Sequence, residues 1–141
     1  MKNVATGSTT RKYPELFPEG HVFQRPVVKF DFRNDLEDQP IADDYVREAG
    51  LDPKALKRIA LRINELLKSW LAPRNLVDFC LVIGESVSGE LLITSEISPD
   101  CMRLKDVDGS SLDKDLFRFG ASGSEIVRVW GELARDIAEG A

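Results

Sequence analysis

The segment that most constrains this chain is an Asp52-Pro53 pair followed by apolar residues at three-and-four spacing. Pro53 suits a first helical position, where the N–H has no intrahelical acceptor, and Asp52 supplies the cap. Leu56, Ile59, Ala60, Ile63, Leu66, Leu67 and Trp70 then form one continuous apolar stripe, which Pro73 ends. Such a stripe must be buried against a second layer of structure.

The rest of the chain supplies that layer as strands. Leu76 to Ile83 is a mostly apolar run suited to a central strand. Gly84 to Gly89 reads as a turn and Glu90 to Ile97 as a returning strand, so an antiparallel hairpin is expected. Pro26 to Phe32 alternates, with Val28, Phe30 and Phe32 on one face and Lys29 and Asp31 on the other. Thr6 to Gly20 reads as a loop, Asn34 to Gln39 as a polar turn closed by Pro40, and Ser98-Pro99-Asp100 as a loop opening. Asp43 to Ala49 is a short helix ended by Gly50. A last helix spans about Gly123 to Ala138, with Ser122 and Glu125 as a capping box. Its expected buried face is Ile126, Val127, Trp130, Leu133, Ala134, Ile137 and Ala138. The sum is an α+β chain, a mainly antiparallel sheet with two main helices packed on it, read as a single domain over 1–141.

A net charge of −5 excludes a global basic field for nucleic acid or anionic membrane, so an anion site must be a local cluster of Lys and Arg. Asp78 interrupts the longest apolar run, no membrane span is expected, and MKNVATGSTTRKYPELF lacks the apolar core of a signal peptide; the expected location is cytoplasmic. His21 is the single histidine, and Cys80 and Cys101 have no zinc-ligand spacing, so no metal site is expected and the cysteines read as a reduced pair.

Three segments carry side chains suited to an anion. Thr6-Gly7-Ser8-Thr9-Thr10 sets a glycine before hydroxyls, so that backbone N–H groups and hydroxyls can converge on negative charge; a flexible N-terminal tail has the same composition. The turn Glu96-Ile97-Ser98-Pro99-Asp100 with Arg103 follows a strand, a common position for a site, and equally a rigid surface turn with an Asp100–Arg103 salt bridge. Leu112-Asp113-Lys114-Asp115-Leu116-Phe117-Arg118 sets Lys114 and Arg118 four apart, on one face of a helical turn. A solvated turn partnered by Asp113 and Asp115 is the alternative.

The stretch from Gly89 to Phe119 that holds the last two segments resembles the C-terminal signature of SAICAR synthetase. That family is the purine-pathway ligase joining carboxyaminoimidazole ribonucleotide (CAIR) to aspartate with ATP. Lys2-Asn3-Val4-Ala5-Thr6-Gly7-Ser8 is similar to its R-N-x-A-A-G-S element. The resemblance implies the fold of that family's C-terminal domain and ribonucleotide contacts from Ser8, Arg103, Lys114, Arg118 and Lys2. It places Gly7, Asp100, Asp78 and Arg33 in support and leaves the catalytic residues unknown. Lys2 stands where the family has arginine, keeping the charge without the bidentate fork.

The departures cluster where the resemblance implies ATP and metal. Val77-Asp78-Phe79-Cys80-Leu81-Val82-Ile83-Gly84 stands where the family reads V-D-F-K-x-E-F-G. Cys80 thus replaces a lysine and Val82 a Mg²⁺-holding glutamate. Ser95 replaces the metal aspartate of A-D-E-x-S-P-D, and Arg33 the lysine of a K-N-D-x-x-x-D-P element that ends here at Gln39-Pro40. The implied protein is a substrate-binding half, with the N-terminal ATP-binding lobe absent. It is expected to need no cofactor alone, and ATP with Mg²⁺ only if a partner lobe supplies that site. Its implied partners are a phosphorylated ribonucleotide and either a separate ATP-lobe protein, as in a split ligase, or a second copy of the chain. Two alternatives stand beside this reading. One is an ATP-independent enzyme acting on a carboxylated ribonucleotide in a nucleoside natural-product pathway, with Cys80 in its site instead of in the core. The other is a non-catalytic pseudoenzyme that binds a partner protein.

Overall fold

The computed structural model describes residues 1–32 and 38–140. In chain order its elements are β1 (Lys2–Val4), α1 (Ser8–Lys12), β2 (Val22–Val27), β3 (Phe30–Phe32), β4 (Gln39–Ile41), α2 (Asp43–Glu48) and α3 (Pro53–Leu71). There follow β5 (Asn75–Phe79), β6 (Ile83–Glu85), β7 (Leu91–Ile93), β8 (Met102–Lys105), α4 (Asp115–Arg118) and α5 (Gly123–Glu139). The architecture is α+β. An antiparallel sheet runs in the order β2–β1–β5–β8, and β3–β4 and β6–β7 form separate two-stranded antiparallel ribbons.

Local chemistry sets the long helices where the sequence places them. Asp52 accepts a hydrogen bond from the Lys54 N–H at 2.8 Å, with Pro53 at the first helical position. Ser122 accepts from the Glu125 N–H at 3.2 Å and opens α5. The core joins Ile63, Leu67 and Leu71 of α3 to Leu76 and Phe79 of β5, Met102 and Leu104 of β8, and Leu133 of α5. Burying each such side chain contributes roughly 1.5–3 kcal/mol.

The strand pairing differs from expectation. The Leu76–Ile83 run splits: β5 ends at Phe79, and only Ile83–Glu85 pairs with Leu91–Ile93. β5 is central, with Lys2 opposite Asp78 on one side and Leu76 opposite Leu104 on the other, so both its edges are occupied. The partners are β1, in the segment next to the expected loop, and β8, which follows a single 3₁₀ turn at Pro99–Cys101. Pro26–Phe32 is likewise divided between β2 and β3, and part of the Thr6–Gly20 loop is α1. Of the expected polar turn at 34–39, residues 34–37 lie outside the described residues, while Gln39 belongs to β4.

The helix faces also shift. α3 buries Leu56, Ala60, Ile63, Asn64, Leu67 and Leu71, whereas Leu66 is partly exposed and Trp70 is 65% exposed. Asn64 turns inward because Asn3 of β1 meets it: the two side-chain amides exchange hydrogen bonds at 2.8 and 3.0 Å. On α5 only Leu133 is fully buried, and Val127, Ala134 and Ala138 are exposed. A groove of about 290 Å³, lined by Trp70, Ile97, Met102, Trp130 and Ile137 among others, lies beside α3 and α5.

Candidate functional site

The sheet register builds the site. Lys2 on β1 pairs across to Asp78 on β5, and Asp78 pairs across to Arg103 on β8, so three charged residues form a row over adjacent strands. Their side chains bond along that row. Lys2 Nζ lies 2.9 Å from Asp78 Oδ2, and Arg103 Nη1 donates to the same oxygen at 2.8 Å. Arg103 Nε then donates to Asp115 Oδ2 at 3.2 Å, and Arg118 Nη1 to Asp115 Oδ1 at 2.9 Å.

The row holds three cations against two carboxylates and so carries excess positive charge. It is also graded in exposure. The Lys2 and Asp78 side chains are 8% and 9% exposed, Arg103 19% and Arg118 50%, so the buried end anchors a row whose far end is open. Burial works against charge on Arg103, but Asp78 and Asp115 outweigh it and hold its pKa above the ordinary arginine value.

Two backbone features fix this geometry. Gly7 has φ 62°, in the left-handed region, and a Cβ there would lie 3.1 Å from Arg103 Nη2, so the glycine backbone lies against the guanidinium. Asp113 is fully buried and accepts the Leu104 N–H at 2.5 Å and the Asp115 N–H at 2.7 Å. It thereby ties β8 to the turn that presents Asp115 and Arg118. Burial pushes the Asp113 carboxyl above its ordinary value.

The structure therefore brings together Lys2, Gly7, Asp78, Arg103 and Arg118. Ser8 follows Gly7 and lines a cleft that Lys2 shares. Lys114 is tied to the Ser98–Cys101 turn, its N–H donating to the Pro99 carbonyl at 3.2 Å, and its half-buried side chain has no ion-pair partner among the described residues. Asp100 is exposed and does not pair with Arg103 among the described residues, because Arg103 is turned toward Asp78 and Asp115. Arg33 lies outside the described residues. The sequence reading weighed Asp113 and Asp115 only as partners of a solvated turn; their roles depend on β8, a strand that periodicity did not reveal.

A sequence profile described as SAICAR synthetase matches residues 1–133. The chain belongs to the SAICAR synthetase family. Relatives named phosphoribosylaminoimidazole-succinocarboxamide synthase are 44% identical over 142 residues in Methanococcoides burtonii, covering 95% of this chain and 58% of that protein. The Streptococcus agalactiae relative is 40% identical over 125 residues, 84% of this chain and 53% of its own length. A crystal structure of SAICAR synthetase from Pyrococcus horikoshii OT3 superposes with a TM-score of 0.84 at 34% identity, over 98% of this chain and 62% of that one. The chain thus spans between half and two thirds of the length of these SAICAR synthetase family members.

Against this family, the positions implied to hold Mg²⁺ carry poor ligands. Val82 offers no side-chain oxygen, and the Ser95 hydroxyl already accepts the Val82 N–H at 3.0 Å. No group of three potential metal ligands occurs among the described residues. These residues do not fit a Mg²⁺ centre. Cys80, expected in the core, is exposed just past the end of β5, its thiol donating to the Cys101 carbonyl at 3.4 Å; both cysteines are free. Among the described residues no helix is long and apolar enough to cross a membrane.

Proposed function

We propose that this chain is the ribonucleotide-holding, C-terminal half of a SAICAR-forming ligase of purine biosynthesis, folded as one domain, and that it binds CAIR or a similar phosphorylated ribonucleotide. Lys2, Ser8, Arg103, Lys114 and Arg118 meet the anionic groups, with Gly7, Asp78, Asp100 and Arg33 in support. ATP and Mg²⁺ come from a separate lobe, since the chain's own residues do not fit the metal. The observation that carries this reading is the ion-pair row. It draws the three anion-suited segments to one place, with Arg103 and Arg118 sharing Asp115 and Gly7 against Arg103.

The chemistry follows from charge and access. Arg118 is half exposed and Lys114 has no carboxylate partner among the described residues, so both can exchange water for phosphate or carboxylate oxygens. Arg103 is held in one orientation by two carboxylates, which lowers the ordering cost of meeting a ligand. Titration calorimetry with CAIR tests the reading. The expected result is a dissociation constant on the order of tens of micromolar, near −6 kcal/mol. Arg118→Ala and Lys114→Ala should each weaken it about tenfold with folding intact. A wild-type protein that binds no CAIR at millimolar ligand ends the reading.

A further inference from the structure

The two cysteines of the chain lie 21 positions apart in the sequence, and the sheet makes them neighbours. β5 ends with Phe79 opposite Met102, the first residue of β8. One step further along this antiparallel register Cys80 stands opposite Cys101, and its N–H donates to the Cys101 carbonyl at 2.9 Å. Hydrogen-bonded antiparallel partners have Cα atoms about 5.5 Å apart, inside the span of about 4.4–6.8 Å that a disulfide bridges. The Cys80 thiol already reaches the same carbonyl, at 3.4 Å.

The two thiols differ in access and in what they hold. Cys80 is exposed, whereas Cys101 is buried, and burial pushes its thiol above the ordinary cysteine value. Cys101 closes the turn at Pro99–Cys101: its sulfur accepts the Ser98 N–H at 3.4 Å, and its S–H donates to the Ser98 carbonyl at 3.2 Å. The Pro99 carbonyl of that turn accepts the Lys114 N–H at 3.2 Å. A Cys101 sulfur bonded to Cys80 has no S–H left to donate and is drawn away from Ser98. The backbone tie to Lys114 then loses its support.

We propose that Cys80 and Cys101 are a thiol pair that small-molecule disulfides of the glutathione type oxidise to a cross-strand disulfide, which releases the Ser98 cap and loosens the hold on Lys114. The accessible thiol reacts first. Cys80 loses its proton to solvent, and its thiolate attacks one sulfur of glutathione disulfide, forming a mixed disulfide and expelling one glutathione thiolate. Cys101 then loses its proton and attacks the Cys80 sulfur. The Cys80–Cys101 bond forms, the mixed disulfide breaks, and the second glutathione leaves. The protein gives up two electrons and two protons, and glutathione disulfide takes both to become two thiols. The inference goes beyond the ribonucleotide reading and does not depend on it, since no step needs that ligand.

Incubation of the folded wild type with excess glutathione disulfide, followed by intact-mass and peptide mapping, tests the pair. The expected product has lost both free thiols and two hydrogens of mass, and yields one crosslinked peptide joining Cys80 to Cys101. Cys101→Ser should stop at the mixed disulfide, gaining the mass of one glutathionyl group on Cys80. Cys80→Ser should stay unmodified while folded, and because Cys80 is exposed it serves as the control if Cys101→Ser does not fold. Hydrogen exchange at the Lys114 N–H should quicken about tenfold in the oxidised wild type and recover with a reductant. A wild type that keeps both thiols, stops at the glutathionyl adduct or links chain to chain overturns the pair. A crosslinked pair with unchanged Lys114 exchange overturns its coupling to the turn.

Discussion

Gly7 and Arg103 pack backbone against guanidinium, so closely that a Cβ at residue 7 would meet Nη2 at 3.1 Å. Position 7 is therefore restricted twice, by its left-handed backbone and by the side chain across the sheet. Gly7→Ala should destabilise the fold by about 1–3 kcal/mol. It should also displace Arg103, visible as a shift of its Nε–H resonance in nitrogen-correlated NMR. An unchanged Arg103 resonance would show that the contact is slack.

Asp78 is the only carboxylate that Lys2 pairs with among the described residues, and it also holds Arg103. Replacing it with asparagine leaves two cations facing each other in a buried setting. Breaking a buried pair in this way costs about 3–5 kcal/mol. Urea unfolding of Asp78→Asn should show that loss, and adding Lys2→Met should recover part of it. Strict additivity of the two substitutions would mean that the pair is not coupled.

Asp113 gives a pH signature. Its folded-state pKa is raised by burial, so its contribution to stability is fully present below the unfolded value near 3.8 and is lost as pH rises through the folded value. Carbon-13 titration of the aspartate carboxyls should find Asp113 above the ordinary range. In Asp113→Asn one of the two backbone N–H groups loses its acceptor, at a cost of about 1–3 kcal/mol. The gap between wild type and variant should narrow as pH rises above about 4, because the wild-type carboxyl loses its contribution as it ionises in the folded state. A constant gap would exclude a raised carboxyl.

At the exposed end of the row, Arg118→Ala should move the melting temperature by only a degree or two, since a half-exposed ion pair contributes about 0–1 kcal/mol. Its tenfold effect on CAIR affinity would then be separable from folding. Unfolding of the variant at room temperature would instead make Arg118 a structural residue.

What could be read in advance divides along physical lines. α3 and α5 were legible, with their Asp52 and Ser122 caps, because helix signals are local. β1 was not, because Lys2 and Asn3 look like surface residues until Asp78 and Asn64, more than sixty positions away, are brought beside them. β8 was hidden by its length of four residues and by the proline turn before it. Arg103 and Arg118 stood out through the family resemblance of their segments, with spacing adding only that Lys114 and Arg118 share a face; the shared use of Asp115 depends on that hidden strand. The pairing of Leu76–Phe79 was assigned to the wrong neighbour for the same reason.

The chain has two tryptophans, and Trp70 and Trp130 both line the groove beside α3 and α5. The molecule thus carries a built-in optical division. Indole emission should blue-shift and resist acrylamide quenching when a protein surface covers the groove. Tryptophan emission therefore reports on the groove beside α3 and α5 and not on the ion-pair row, which contains no indole.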